Sequence, residues 1–391
     1  MQATPAEVAY VLASAYDVAH FGPVCRELNE RGIGSYFVLR KPATWHRSSS
    51  KRKEKLDHYE RLRELLASNG LPFAGKLNPY ADVAITTQSA DCLRACRNTK
   101  LKAPYGAPAI KEDTQYLPEK CEGFDGFLVH GQLQKNTHTA DFPASRMKII
   151  GIPKYDAFFQ SPPDRRAIKN RLGIPTEQAK PIITYLPTWD IRNSTIYSFH
   201  AAFLRLSDEC TIVIKPHPHT QKLNFKTSEV DKLGRITPHV LDACEPTEDA
   251  VAIADLLITD VKSGVTTESM YLTQGETPWI GITPHPESVF FDVIIAAGPV
   301  VQDPHSLPQA VAEIFTADPY RQARGRLIRY AYSDNAGHAA EDAADAIVQF
   351  AQMSVITRRF PYAWNKLSRS IRKRADRLQT TLGIGSNEIS Q

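Results

Sequence analysis

The sequence predicts an α/β protein of two doubly wound, Rossmann-type domains, and three observations support this fold class. Short apolar runs alternate with longer amphipathic segments, which is typical of a parallel sheet with helices on both faces. The same alternation restarts near residue 165. A chain of 391 residues is also long for a single core, so two domains of ordinary size are expected.

The first half contains five apolar runs of strand length. They are EVAYVLAS (7–14), SYFVLRK (35–41), ADVAITT (81–87), GFLVHG (126–131) and MKIIGIP (147–153). Between them, HFGPVCRELNERGI (20–33) predicts a helix closed by Gly32, and residues 50–70 predict a charged helix. A short helix is expected around Cys92, because Cys92 and Cys96 have the spacing of one helical face.

The second half repeats the pattern with four strand-like runs. They are PIITYLPTW (181–189), CTIVIKPHP (210–218), DLLITD (255–260) and TPWIGIT (277–283). Helices are predicted at 164–174, 306–315 and 338–352. We therefore expect a second doubly wound half of the same kind as the first.

These patterns divide the chain into three parts. We predict an N-terminal domain over residues 1–160, a C-terminal domain over 161–345, and a helical basic tail over 346–391. Ligands of doubly wound sheets bind beyond the carboxyl ends of the strands. Both sets of strand ends are therefore expected to face a central cleft.

The composition is that of a globular protein, with 42% hydrophobic and 23% charged residues. A formal net charge of +4 suits phosphorylated ligands or an anionic membrane surface. The first 14 residues lack the basic-then-apolar order of a signal peptide, and no run approaches the roughly 20 apolar residues of a membrane span. We expect a cytoplasmic location, with peripheral binding to the inner face of the membrane as an extension of it.

The six cysteines do not have the spacing of a metal site, because the sequence has no second closely spaced pair that would complete a ligand set with Cys92 and Cys96. We expect reduced, structural thiols and neither a metal nor a cofactor.

A polar turn in the second half predicts an anion site. The segment SGVTT (263–267) follows the strand DLLITD and precedes a helical pattern, where free backbone N–H groups and the helix dipole attract anions. Ordinary N-capping by one hydroxyl is the alternative. The residues predicted to contact a donor diphosphate here are Lys262, Ser263, Gly264, Thr266 and Thr267.

Two more strand ends in this half carry phosphate-compatible groups. Lys215 and His217 follow one strand between prolines, which hold the chain extended; a rigid loop with exposed histidines is the alternative. Thr188 and Arg192 follow another, and an arginine fork suits a diphosphate, although it could instead pair with Asp190. Because three strand ends agree, we expect one donor site at this edge.

These segments together resemble a known family. GIPKYD, YLPTWDIR, KPHP and ITDVKSGVTTE, in this order, are similar to motifs of the CDP-glycerol glycerophosphotransferase family, the polyol-phosphate transferases of teichoic-acid and capsule synthesis. The resemblance covers roughly 150–280 and implies a GT-B fold. It implies that His217 assists departure of the nucleotide while binding the donor diphosphate together with Arg192, Ser263 and Thr266. It also implies that Asp260 and Glu268 hold the loop or contact the ribose.

The acceptor side departs from the family pattern. The family has a His-Gly loop whose histidine activates the acceptor hydroxyl, and at the corresponding place, KAPYGAPAIKED, this chain has Tyr105. By chemistry His130 and His20 are the candidate bases, with Glu112 and Asp113 as carboxylate alternatives.

Residues 358–379 combine eight cations and a single acid with an apolar stripe at helical spacing. Such a helix suits an anionic lipid surface, and packing against the first domain is the alternative. No nucleic-acid-binding motif accompanies the charge, so nucleic acid is not an expected partner.

The sequence thus predicts a transferase that moves a glycerol-phosphate, polyol-phosphate or sugar from a nucleotide-activated donor, with CDP favoured, to a glycan or lipid-linked acceptor in cell-surface polymer synthesis. A sugar-nucleotide epimerase of the same architecture, similar to UDP-GlcNAc 2-epimerase, is the first alternative. A non-catalytic scaffold is the second.

Overall fold

A computed structural model describes ten stretches of the chain, and the statements below concern them. They are residues 7–42, 49–104, 122–138, 142–177, 180–189, 194–217, 220, 233–242, 245–283 and 294–353.

The first sheet contains seven parallel strands. They are β1 (Glu7–Val11), β2 (Gly34–Val38), β3 (Phe73–Ala74), β4 (Val83–Thr86), β5 (Thr99–Lys102), β6 (Gly126–Val129) and β7 (Met147–Ile149). Their order in the sheet is β3-β2-β1-β4-β5-β6-β7, and every pairing is parallel. The direction of winding reverses between β1 and β4, which makes this pair the switch point of the first sheet.

The second sheet contains five parallel strands. They are β8 (Ile182–Leu186), β9 (Thr211–Ile214), β10 (Leu256–Asp260), β11 (Trp279–Ile282) and β12 (Val300–Val301). Their order is β12-β11-β10-β8-β9. Here the winding reverses between β8 and β10, so the ligand crevice is expected at their carboxyl ends.

Helices cover both sheets. The α-helices are α1 (Ala15–Glu30), α2 (Ser49–Ser68), α3 (Gln132–His138), α4 (Asp156–Gln160), α5 (Arg165–Arg171), α6 (His200–Leu206), α7 (Thr247–Ala252), α8 (Val265–Leu272), α9 (Leu307–Thr316), α10 (Arg321–Ala331) and α11 (Ala339–Gln352). Short 3₁₀ turns occupy Ala90–Leu93, Ala144–Arg146, Pro153–Tyr155 and Pro304–Ser306. The structure confirms the α/β fold class and each predicted strand.

The late helix α11 returns to the first sheet. Its Ile347 and Phe350 are fully buried in the core that contains Val8 and Tyr10 of β1. Gly126 of β6 leaves room for the Phe350 ring, since a Cβ there would lie 2.3 Å from it. The predicted boundary at residue 345 falls within α11, and residues on both sides of it, Ala343 and Ile347, belong to this core.

The chain passes between the two sheets twice, and side chains link the two passages. The carboxylate of Asp156 accepts hydrogen bonds from the backbone N–H groups of Ala339 (3.0 Å) and Ala340 (2.7 Å) at the start of α11. The side-chain amide of Asn335 donates to the carbonyl oxygen of Ile150 at 3.1 Å. These bonds fix the outgoing segment near 150–156 to the returning segment near 335–340.

Several elements differ from the sequence expectation. α1 begins at Ala15 rather than near residue 20. At this start, the carboxylate of Asp17 accepts the backbone N–H of Ser14 at 2.9 Å. Strand β5 (TKLK) was not predicted, because it alternates lysines with only one apolar residue. The sequence analysis also did not predict β3, β12, α3, α4 and α10. Among the described residues, no helix combines the length and apolarity that a bilayer span needs.

Candidate functional site

The switch point of the second sheet is organised by one buried carboxylate. Asp260 is the last residue of β10 and is fully buried. Its Oδ2 accepts the backbone N–H of Thr188, which follows β8, at 2.6 Å. Its Oδ1 accepts the hydroxyl and the backbone N–H of Thr195, the latter at 3.3 Å. Asp260 therefore holds the segment after β8 against the end of β10.

Burial and hydrogen bonding have opposite effects on the pKa of Asp260. Burial raises its pKa to about 7, although the hydrogen bonds from Thr195 and Thr188 act in the opposite direction. Since both carboxylate oxygens are bonded to protein donors, the geometry makes Asp260 a support of the loop.

The turn after β10 leads directly into α8. The backbone N–H of Ser263 donates to the carbonyl of Asp260 at 2.8 Å, and Gly264 is the N-cap residue of the helix. Lys262 and Gly264 are partly exposed, whereas Ser263 is buried. The first turn of α8 thus follows immediately on the switch point, where an anion is favoured.

Two of the predicted donor contacts use their hydroxyls within the protein. The Oγ1 of Thr266 donates to the carbonyl of Asp260 at 3.0 Å and lies 2.8 Å from the hydroxyl of Thr259. The hydroxyl of Thr267 bonds to that of Tyr332 at 2.7 Å. Both threonines are buried, so their side chains stabilise the helix start rather than face a ligand in this conformation.

The end of β9 lies next to the end of β8. The backbone N–H of Lys215 donates to the carbonyl of Tyr185 at 3.0 Å, and its buried ammonium donates to the carbonyl of Pro216 at 3.0 Å. The partly exposed ring of His217 lies 6.2 Å, centroid to centroid, from the ring of Trp189 after β8. Asp190, Arg192 and His219 lie outside the described residues.

The structure brings the two candidate bases of the first half together. The rings of His20 on α1 and His130 after β6 meet edge to face, with centroids 5.2 Å apart. The Nδ1 of His130 lies 2.8 Å from the carbonyl of Gly151, so this nitrogen carries the proton. Both side chains are buried, which closes them to an acceptor in this conformation.

His20 is held in an unusual environment. Within the described part of the chain, neither ring nitrogen of its fully buried side chain has a hydrogen-bond partner. Burial lowers its pKa well below the usual value, and the nearby His130 and Lys154 lower it further. The imidazole is therefore neutral near pH 7. Tyr105 and the two carboxylate alternatives, Glu112 and Asp113, lie outside the described residues.

The sequence analysis predicted Glu268 as a site residue but missed its two partners, Lys154 and Tyr155. The ammonium of Lys154 lies 2.7 Å from Oε2 of Glu268, and the hydroxyl of Tyr155 donates to the same oxygen at 2.6 Å. Burial alone would raise the pKa of Glu268, but the charge of Lys154 and the hydrogen bonds from Lys154 and Tyr155 lower it below its usual value. The pair joins the outgoing segment to α8, and its one signal in the sequence is the motif GIPKYD.

Two parallel, doubly wound sheets, each with its own switch point, define an α/β protein of the GT-B type. Residues 75–272 match the model of the family described as CDP-Glycerol:Poly(glycerophosphate) glycerophosphotransferase. The chain belongs to this family, as the sequence motifs predicted. A comparison with curated proteins finds no match.

Solved structures show the same fold at low sequence identity. The chain is similar to a histidine-to-alanine variant of the wall teichoic acid polymerase TagF, with a TM-score of 0.59, 12% identity and 90% of each chain covered. It is also similar to a glycosyltransferase from Rickettsia africae (TM-score 0.57, 11% identity, covering 90% of this chain and 100% of that one). A third neighbour is the UDP-GlcNAc 2-epimerase from Neisseria meningitidis bound to UDP-GlcNAc (TM-score 0.54, 13% identity, covering 88% and 100%).

Proposed function

We propose that this protein transfers glycerol phosphate from CDP-glycerol to a hydroxyl of a glycan or lipid-linked acceptor during synthesis of a cell-surface polymer. Membership of the glycerophosphotransferase family supports the donor class. The observation that carries the proposal is the bond between Asp260 and Thr188 at the switch point, beside the end of β9. The bond joins the segments after β8 and β10, and the pairing of β9 with β8 brings a third segment with phosphate-compatible groups to the same edge of the second sheet.

The proposed reaction is a displacement at phosphorus. The acceptor oxygen attacks the phosphorus that carries glycerol, and the bond from this phosphorus to the bridging oxygen breaks. CMP leaves with the electron pair, and the acceptor proton passes to a base. Negative charge therefore grows on the phosphate of the departing CMP.

The second domain supplies the groups that stabilise this charge. Lys215, His217 and Lys262 follow the strand ends, and the first turn of α8 after Gly264 adds backbone N–H groups. Arg192, outside the described residues, is proposed to join them. In this proposal the positive charge comes from protein groups, without a metal or cofactor.

The acceptor side is proposed to lie at the edge of the first sheet. His130 and His20 are the candidate bases there, and an opening of the cleft is needed before an acceptor hydroxyl reaches either buried ring.

We also propose that residues 358–379, which lie outside the described part of the chain, bind anionic lipid on the cytoplasmic face. Flotation with phosphatidylglycerol liposomes, with and without residues 358–391, tests this binding.

The function is tested by following CMP release from CDP-glycerol with and without a lipid-linked glycerol-phosphate acceptor. Acceptor-dependent release of CMP and extension of the acceptor are expected. Conversion of UDP-GlcNAc to a different sugar nucleotide without any acceptor would favour an epimerase. Absence of binding to CDP-, UDP- and GDP-activated compounds in calorimetry would favour a scaffold.

A further inference from the structure

Lys154 contacts three parts of the molecule at once. Its ammonium is paired with Glu268 of α8 at 2.7 Å and lies over the ring of Tyr16 of α1 (5.0 Å to the centroid) and that of Tyr155 (4.4 Å). The side chains of Lys154 and Glu268 are only 13% and 14% exposed. A single charge on the outgoing segment therefore contacts both α1 of the first domain and α8 of the second.

The helix α8 is held from both passages between the sheets. Glu268 is bonded to Lys154 and Tyr155 of the outgoing segment, and the preceding Thr267 is bonded to Tyr332 of the returning segment at 2.7 Å. These bonds lie about one turn after Gly264, the N-cap residue of α8. A shift of α8 along its axis would break them and move the turn of residues 262–264 as well.

The same contacts argue against a direct role of Glu268 in binding the ribose. Its Oε2 already accepts two charge-assisted or short hydrogen bonds, at 2.7 and 2.6 Å. Turning the carboxylate toward a ligand would leave the largely buried ammonium of Lys154 without its partner, which is strongly unfavourable.

We propose that Lys154 is a positioning residue for the nucleotide donor, which acts through Glu268 by fixing α8 and the turn 262–264 relative to the first domain. This inference rests on the proposed assignment of that turn to the donor diphosphate. In it Glu268 is the anchor of Lys154 and does not contact the donor.

The test compares Lys154→Met, Glu268→Gln, the double variant and the conservative Lys154→Arg. Arg165→Met is the matched control, because it removes a cation from the exposed pair with Asp255 (2.6 Å) just before the amino end of β10. The measurements are the affinity for CDP and CDP-glycerol by calorimetry, and KM and kcat for CMP release. Thermal unfolding of each variant verifies folding.

We expect Lys154→Met and Glu268→Gln to raise KM for CDP-glycerol by about tenfold each, with kcat changed less than about twofold. The KM of the double variant should be no higher than that of the more impaired single variant. Lys154→Arg should retain most of the wild-type affinity for CDP-glycerol, and Arg165→Met should have the wild-type affinity. If a single variant does not fold, the double variant, which leaves no unpaired charge, still provides the comparison of KM with kcat.

Two results would overturn the inference. Additive losses in the double variant would show that the two residues act independently. A wild-type preference for CDP over 2′,3′-dideoxy-CDP that disappears in Glu268→Gln would show direct contact with the ribose. Binding of CDP without any transfer would refute the proposed function alone, whereas absence of binding to CDP-, UDP- and GDP-activated probes would refute both.

Discussion

The carboxylate of Asp260 accepts the backbone N–H of Thr188 at 2.6 Å, across 72 residues of sequence. β8 and β10 are neighbours in the sheet although β9 lies between them in the chain. This bond therefore links β8 to β10 at the switch point and sets the distance between two of the three segments that we propose to bind the donor.

Removal of the Asp260 carboxylate should lower the stability of the fold. Asp260→Ala leaves the N–H of Thr188 and the donors of Thr195 without an acceptor, and we expect a loss of roughly 2–3 kcal/mol in the free energy of unfolding. Asp260→Asn should lower the free energy of unfolding by less, because its amide oxygen can still accept the backbone N–H of Thr188. Urea unfolding measures the difference, and an alanine variant as stable as the asparagine variant would contradict the assigned role.

The cap of α11 by Asp156 should make stability depend on pH. Burial raises the pKa of Asp156 from 3.8 to about 6, although the N–H groups of Ala340 and Ala339 and the charge of His338 oppose the shift. Between these two values the folded protein keeps a proton that the unfolded chain releases. The contribution of this group to stability is therefore complete below pH 3.8 and is lost as the pH rises through about 6.

This dependence is measured by comparison with Asp156→Asn, which does not titrate. The wild type should lose roughly 2–3 kcal/mol relative to the variant between pH 4 and pH 6, and the difference should be constant above pH 7. Urea unfolding at several pH values follows it. Parallel pH profiles of the two proteins would show that Asp156 is ionised in the folded state throughout this range.

The local patterns of the sequence were sufficient for the fold class and for the three strand ends. An apolar run next to a polar turn is encoded within about ten residues, and the parallel topology then places carboxyl ends at a common edge. β5 was not predicted, because Lys100 and Lys102 interrupt its apolar pattern, although Leu101 is fully buried between them.

The remaining features depend on contacts between distant segments. Lys154 and Glu268 are 114 residues apart, and nothing in GIPKYD indicates which carboxylate the lysine meets. The approach of His20 to His130 likewise results from the packing of α1 against the end of β6. The return of α11 to the first sheet could not be read from its alanine-rich pattern, which would suit either domain.

The close approach of β6 to the returning segment predicts a sensitive glycine. A Cβ on Gly131 would lie 2.4 Å from the carbonyl oxygen of Ala331 and 2.5 Å from that of Tyr332, both backbone atoms. Gly131→Ala should therefore lower the free energy of unfolding by about 1–3 kcal/mol. Gly75→Ala is the control, since no atom lies within 4 Å of its added Cβ. Equal stability of the two variants would mean that the segments separate easily.

The partly exposed ring of Trp189 should report donor binding, because it lies beside His217 at the proposed diphosphate site. Titration with CDP-glycerol should change the tryptophan fluorescence with the dissociation constant found by calorimetry. The titration is done in a protein whose Trp45 and Trp364 are replaced by phenylalanine, which leaves Trp189 and Trp279 as its tryptophans. Trp189→Phe should then remove this signal, because Trp279 is buried in the core and donates to Thr259. A signal that persists in Trp189→Phe would place the donor elsewhere.

His217 should be needed for the chemical step more than for folding. Its ring is partly exposed at the end of β9, so that His217→Ala should unfold at nearly the wild-type temperature. Loss of a group that stabilises the departing phosphate or protonates it typically lowers kcat by about 10²–10⁴-fold, and we expect a loss in that range for CMP release. His305→Ala is the matched control, because His305 is exposed on a 3₁₀ turn of the same domain. Turnover by His217→Ala within a few-fold of the control would remove His217 from the mechanism and leave Lys215, Lys262 and the start of α8 to stabilise the leaving group.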